Sequence, residues 1–137
     1  SSAYGEIYSL SFRMFLDNPI TGIGINNFKF LCNYNELYKN MMVNYECASH
    51  PHNIYIQWLA EGGLIVFVLF ILYLFFLLKF IINNTGDKKY KIISIVIILM
   101  MFWPIMSTGS LIKNWFGVTT FFIIGLCMCL SKFKNNY

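Results

Sequence analysis

The sequence predicts an all-α fold of the membrane class: a polytopic membrane protein fragment with three transmembrane helices, preceded by a segment of short helices on the outer, periplasmic face. Three observations predict it. Hydrophobic residues make up 58% of the chain and charged ones 12%, against about 25% charged in an ordinary soluble domain, so too few polar side chains exist to coat a water-facing surface. Three apolar stretches, Leu64 to Ile82, Ile92 to Met106 and Trp115 to Leu130, approach the ~17 to 25 residues of a spanning helix. The lysines that flank them are asymmetric.

Taken in order, Tyr4 to Leu16 carries apolar residues at helical spacing, Ile7, Leu10 and Met14 among them, and Asp17-Asn18-Pro19 stops the helix because proline cannot continue it. Thr21-Gly22-Ile23-Gly24 then supplies two positions free to take positive φ, after which Asn26-Asn27 is placed to cap a helix through Phe28 and Leu31. Asn33 to Ser49 is polar and rich in tyrosine, with no readable element. A helix starts at Pro51, runs from His52 to Ala60 and passes through Gly62-Gly63 into the first span. This divides the chain into an outer loop segment, residues 1–61, that carries the candidate site, and a transmembrane part, residues 62–137, with spans at about 62–82, 91–108 and 114–131. The start at Ser1, in polar helix-like sequence instead of a secretory leader, reads as a cut from a longer chain that holds further helices of the cleft.

Orientation follows from charge. Lys79, Lys88, Lys89, Lys91, Lys132 and Lys134 gather at one set of helix ends, which the positive-inside rule makes cytoplasmic, the carboxy terminus included. Residues 1–61 and the short loop Ser107 to Asn114 then face outward. Trp58, Trp103 and Trp115 all fall at the outer ends, where amphipathic rings sit at headgroup level. The formal charge of +4 does not point to nucleic acid, because the basic residues form no stripe with interleaved aromatics.

The string Ser49-His50-Pro51-His52-Asn53 holds both histidines of the chain at the point where an outer loop meets a membrane helix. A helix start there offers free N–H groups and a positive dipole end to an anionic headgroup; the plainer reading is that the histidines solvate the helix end. Two histidines two residues apart, with no further ligand, do not make a zinc set, and no metal is expected. Asn53, Gln57 and Glu61 recur every fourth residue as a polar stripe that should not face lipid. Glu61 on this reading faces a cleft, meets a basic partner, or lies shallow enough for water. Arg13, the single arginine, has a donor fork suited to phosphate oxygens, and it is equally placed, one turn before Asp17, for a local ion pair. Lys113 reaches an anionic headgroup or snorkels at a helix end. Cys32 and Cys47 lie in the outer segment, where an oxidising compartment permits a disulfide that would contribute roughly 3 kcal/mol. Cys127 and Cys129 sit in the last apolar run as small apolar residues.

Asp17-Asn18-Pro19-Ile20-Thr21-Gly22-Ile23-Gly24, then His50-Pro51-His52-Asn53, then Glu61-Gly62-Gly63 resembles the O-antigen ligase and polymerase superfamily over about half the chain. The ligase signature is similar to a His-Asn pair, nine residues, a Gly, two residues and then Gly, Thr or Tyr. His52, Asn53 and Gly63 match that spacing, Val66 departs from the last position, and Glu6 stands about where some members carry an arginine. The resemblance implies a metal-independent, cofactor-free transferase in the bacterial inner membrane. It would move a glycan from an undecaprenyl-diphosphate carrier to a hydroxyl of a lipid A core, another glycan or a protein. Carried over to these residues, it implies His52 as base, Asn53 orienting it or the sugar, Arg13 holding diphosphate and the Gly22/Gly24 turn admitting it; His50, Gln57 and Lys113 are the further substrate-binding residues expected here. A different class, a binding or transport protein for lipid-linked glycans, would use the same outer loop without chemistry.

Overall fold

The computed structural model describes residues 2–132, and Lys134, counted above among the cytoplasmic lysines, lies outside them. Among the described residues the chain forms helices and no strands: α1 (Ala3–Asp17), α2 (Phe28–Tyr34), α3 (Glu36–Lys39), α4 (Ile54–Asn84), α5 (Lys88–Met101) and α6 (Asn114–Lys132).

α1 is started by Ser2, whose side chain accepts the Gly5 N–H, and ends at Asp17 before Asn18-Pro19. Its apolar face, Ile7, Leu10 and Met14, is buried with Phe28 and Cys32 of α2, Tyr38 of α3, Met42, and Ala60 of α4 in one core. A second core lies among the long helices: Ile54, Phe70, Leu77 and Ile81 of α4 with Ile98 of α5, Phe102, and Ile124 and Cys127 of α6. The molecule therefore has an outer core over which short helices pack and a separate core between long ones.

α4 is broken at Gly63, where φ is 65° and ψ −167°. From Leu64 to Asn84 the helix is about 31 Å long at 1.5 Å per residue, which matches the ~30 Å hydrocarbon layer. The first span therefore begins after the kink and ends two residues beyond the expected Ile82. α4 is the one helix among the described residues long and apolar enough to cross a membrane.

α5 differs from its expected range of about 91–108. It stops at Met101 and, with 14 residues, reaches only about 21 Å. Pro104 explains this: it has no N–H to continue the ladder, and its ring disfavours helical backbone at Trp103. The chain from Phe102 to Lys113 is instead irregular and folds back over the start of α4. α6 coincides within a residue with the expected 114–131 and holds the apolar run Trp115–Leu130. Trp58, Trp103 and Trp115 share one end of the bundle, because α4 and α6 start there and α5 stops there.

Candidate active site

Two segments meet the amino-terminal part of α4. The first is the Pro19 to Gly24 turn. A helix kinked at Gly63 cannot make the bonds Leu64 N–H to Ala60 C=O and Ile65 N–H to Glu61 C=O. The turn supplies replacements for all four groups: Pro19 C=O and Ile20 C=O accept from Leu64 (2.9 Å) and Ile65 (3.3 Å), while Ile23 N–H and Gly24 N–H donate to Ala60 (3.0 Å) and Glu61 (2.9 Å). None of these four backbone groups is left unpaired, which in an apolar setting would cost several kcal/mol each. The approach is so close that a Cβ on Gly22 would stand 2.4 Å from the Glu61 carbonyl, and one on Gly63 would stand 2.4 Å from the Ile20 oxygen. Gly22, expected to admit diphosphate, meets the chain's own backbone at the kink. Gly24, at φ 95°, turns the chain toward Asn27 and Asn26.

The second segment is the irregular stretch 102–113, which binds the histidine turn. Thr108 N–H donates to His52 C=O (2.8 Å), His50 Nε2 pairs with Thr108 C=O (3.3 Å), Asn53 Nδ2 donates to Pro104 C=O (2.7 Å), and Lys113 Nζ donates to Ser49 C=O (3.1 Å). Asn53 is also the N-cap of α4, its Oδ1 accepting from Tyr55 and Ile56, so the helix starts at Ile54 and not at Pro51. Its side chain is thus committed to two structural tasks.

Below it, Gln57 and Glu61 are 3% and 1% exposed. Gln57 Nε2 donates to Glu61 Oε2 (2.9 Å) and to Ser110 Oγ (2.8 Å), and Glu61 Oε1 accepts the Phe28 N–H (3.2 Å). Glu61 is therefore the cap of α2, the role expected of Asn26-Asn27; Asn27, at the cap position, makes no side-chain capping bond and donates instead to Ile23 C=O. The stripe faces inward, and the amide of Gln57, expected at the substrate, binds Glu61 one turn along α4 and Ser110 of the 102–113 stretch.

The two histidines differ. His50 is buried; Ser49 Oγ–H reaches Nδ1 (2.9 Å), and since Thr108 supplies only a carbonyl, Nε2 carries the hydrogen. Burial first, then His52, push its pKa below the ordinary value; the Thr108 carbonyl opposes them and Lys113 adds the smallest lowering effect. His52 is half-buried and takes φ +57°, a left-handed conformation uncommon in non-glycine residues. Its ring lies 4.3 Å from that of His50 and meets the edge of Tyr4 at 6.0 Å, with no hydrogen bond to its nitrogens among the described residues. A cavity of about 630 Å³ opens beside this turn, walled by His50, Lys113, Ser110, Asn26, Trp115 and Phe116.

Arg13 is elsewhere. Nine residues along α1 from Tyr4 place it about 14 Å away and on the opposite face. There it forms the alternative ion pair: Nη2 to Asp17 Oδ1 (3.0 Å) and Nε to Oδ2 (3.2 Å), with the side chain 54% exposed. Tyr38 O–H also donates to Asp17 (2.9 Å), and burial together with that bond raises the Tyr38 pKa to about 12. The structure thus brings together His50, His52, Asn53, Gln57 and Lys113 and leaves Arg13 apart. Thr108, which pins the turn, and Ser110, which binds Gln57 of α4, carry no motif of their own; the small polar run Ser107-Thr108-Gly109-Ser110 between apolar stretches is the signal that points to them. Cys32 and Cys47 are joined, with Cα atoms 5.8 Å apart. No group of metal-ligating side chains occurs among the described residues.

The arrangement defines a membrane protein with a polar, histidine-bearing site built over the end of an apolar helix. The chain belongs to the O-antigen ligase family, whose profile matches residues 1–71, from α1 through the kink and into the span. In the comparisons with curated proteins and with solved structures, nothing matches. Membership carries the coarse activity of the family, glycan transfer of the O-antigen ligase type at a membrane.

Proposed function

We propose that this chain carries the outer-face catalytic turn of a transferase that moves a glycan from an undecaprenyl-diphosphate carrier to an acceptor hydroxyl, with His52 as general base. The observation that supports it is the contrast between the histidines: His50 has both ring nitrogens engaged, whereas His52 keeps its nitrogens free on a half-exposed ring held in a strained turn. His52 takes the proton of the acceptor hydroxyl as its oxygen bonds to the anomeric carbon of the donor sugar. The bond from that carbon to the diphosphate breaks, and the diphosphate leaves with the electron pair. Diphosphate is a good leaving anion, so the protein needs chiefly a placed base and positive charge beside the departing oxygens.

Lys113, on the wall of the His50 cavity, replaces Arg13 as that charge, because Arg13 is held by Asp17 on the far side of α1. Asn53 acts as a positioning residue through its cap and its bond to the 102–113 stretch. The same reading places α4, α5 and α6 together in the inner membrane, with residues 1–61 periplasmic and the lysine-rich ends cytoplasmic. Its support is the exposed apolar surface on all three helices, including Leu69, Phe75, Val96, Met100, Phe121 and Phe122. The acceptor is a lipid A core, a glycan or a protein.

The test replaces the native gene by a full-length copy carrying His52→Ala and profiles surface glycans, with membrane levels checked by blot. A base is worth ~10² to 10⁴ in rate, so long chains should vanish and carrier-linked glycan accumulate while the protein persists. An unchanged profile would sink the assignment in favour of a binding or transport role.

A further inference from the structure

A second groove, of about 490 Å³, lies on the outer segment, between α2, α3 and the chain that leads to the histidine turn. Lys29 and Asn33 come from α2, Lys39 from α3, and Tyr45 and Glu46 from the facing segment, with Met42 and Cys47 at the base. The helices are too short to hold such a shape alone: α2 has 7 residues and α3 has 4, whereas isolated helices below ~12 residues are marginal. The Cys32–Cys47 bond fixes one wall to the other, Cys32 in α2 and Cys47 on the facing segment. Asn35 caps α3 through Leu37 and Tyr38, and Tyr38 is tied to Asp17 of α1. The groove is thus a braced feature of the outer surface.

Its lining is polar and carries surplus positive charge. Two ammonium groups stand against the single carboxylate of Glu46, and neither lysine is in an ion pair among the described residues. Tyr45 is 45% exposed and presents a flat apolar face with a polar tip. Asn33 Nδ2 is bonded to Lys29 C=O, which leaves Oδ1 as an acceptor for a hydroxyl. From Cys47, at the base of the groove, to His50 the chain is three residues, at most about 11 Å.

We propose that this groove is the acceptor subsite, and that it takes a glycan bearing negative charge, a uronic carboxylate or a phosphate substituent, against Lys29 and Lys39. The word acceptor rests on the transferase reading above; the carbohydrate site does not. Glu46 sets a limit on the charge, and Tyr45 stacks on the sugar.

The experiment is a titration of the full-length protein in lipid nanodiscs with three probes: an oligogalacturonate, mannose 6-phosphate and a neutral maltooligosaccharide. At least one charged probe should bind about tenfold or more tightly than the neutral one, a difference of about 1.4 kcal/mol, and whichever charged probe is preferred names the substituent. Lys29→Glu with Lys39→Glu should erase the preference, Lys29→Gln with Lys39→Gln should reduce it, and His52→Ala should leave it intact, each variant first shown on a non-reducing gel to keep its disulfide. Equal binding of charged and neutral probes, or a preference that survives both lysine pairs, overturns the proposal. If surface glycans are unchanged in His52→Ala cells while the charge preference persists, the assignment of His52 as base fails and the groove stands as a glycan-binding site.

Discussion

The glycine junction and the histidine turn both rest on the head of α4, and they are built by opposite means. At the junction, backbone meets backbone: Pro19, Ile20, Ile23 and Gly24 take over the hydrogen bonds that the kink at Gly63 releases, and Gly22 lies where no side chain fits. At the histidine turn one backbone bond, Thr108 N–H to His52 C=O, is joined by three from side chains: Asn53, His50 and Lys113 bind carbonyls of other segments, and the ring of His52 has no hydrogen bond among the described residues. The first design fixes geometry and leaves no atom to spare. The second fixes geometry through replaceable groups and frees one for chemistry.

The contrast is broken most severely at Gly63. Gly63→Ala adds a Cβ 2.4 Å from the Ile20 oxygen at φ 65°, which combines left-handed strain with overpacking, about 2 to 5 kcal/mol together. Full-length protein should be lost from the membrane fraction, or its thermal midpoint in detergent sharply lowered; a normal midpoint would mean that the junction relaxes freely. Next comes Glu61→Gln. One carboxylate oxygen accepts from Phe28 N–H and the other from Gln57 Nε2, and an amide leaves one of those donors facing an NH₂ group, at about 1 to 3 kcal/mol. Thermal unfolding should show it, and proteolysis should open first at α2.

The pH dependence is milder and bears on the histidine turn. His50 has its pKa lowered in the fold, so between that value and 6.5 the unfolded chain binds the extra proton and the folded one does not. Its stabilising contribution is complete above 6.5 and declines as pH falls through that window. Thermal midpoints measured across it should fall with acid, and His50→Gln should flatten that part of the profile. Arg13→Ala should do least: an exposed i,i+4 ion pair is worth about 0.3 to 0.5 kcal/mol, and transfer should be unchanged. A large loss of transfer with normal stability would return Arg13 to the diphosphate.

Legibility in the sequence follows the range of the interaction. Helix α1, its stop at Asp17-Asn18-Pro19, the apolar body of α4 and the extent of α6 are local consequences of spacing, proline and hydropathy, and they were readable. The end of α5 is equally local, since Pro104 stops the helix within an apolar run that continues past it. Glu61 capping α2 joins residues 33 apart in sequence, and the bonds of Thr108 to His50 and of Ser110 to Gln57 span more than fifty residues; no periodicity signals either. The spacing of Asn53, Gln57 and Glu61 did mark one face as polar. What that face bonds to was beyond any local pattern.

By itself the sequence determined an all-helical, membrane-class chain with paired histidines at the head of an apolar helix, because composition and period depend only on neighbours along the chain. The tertiary structure alone decided that Gly22 meets Gly63, that His50 is consumed while His52 is free, and that Arg13 faces away. Those outcomes depend on which unsatisfied backbone and side-chain groups meet across distant segments once water is excluded, and a linear string does not contain that meeting.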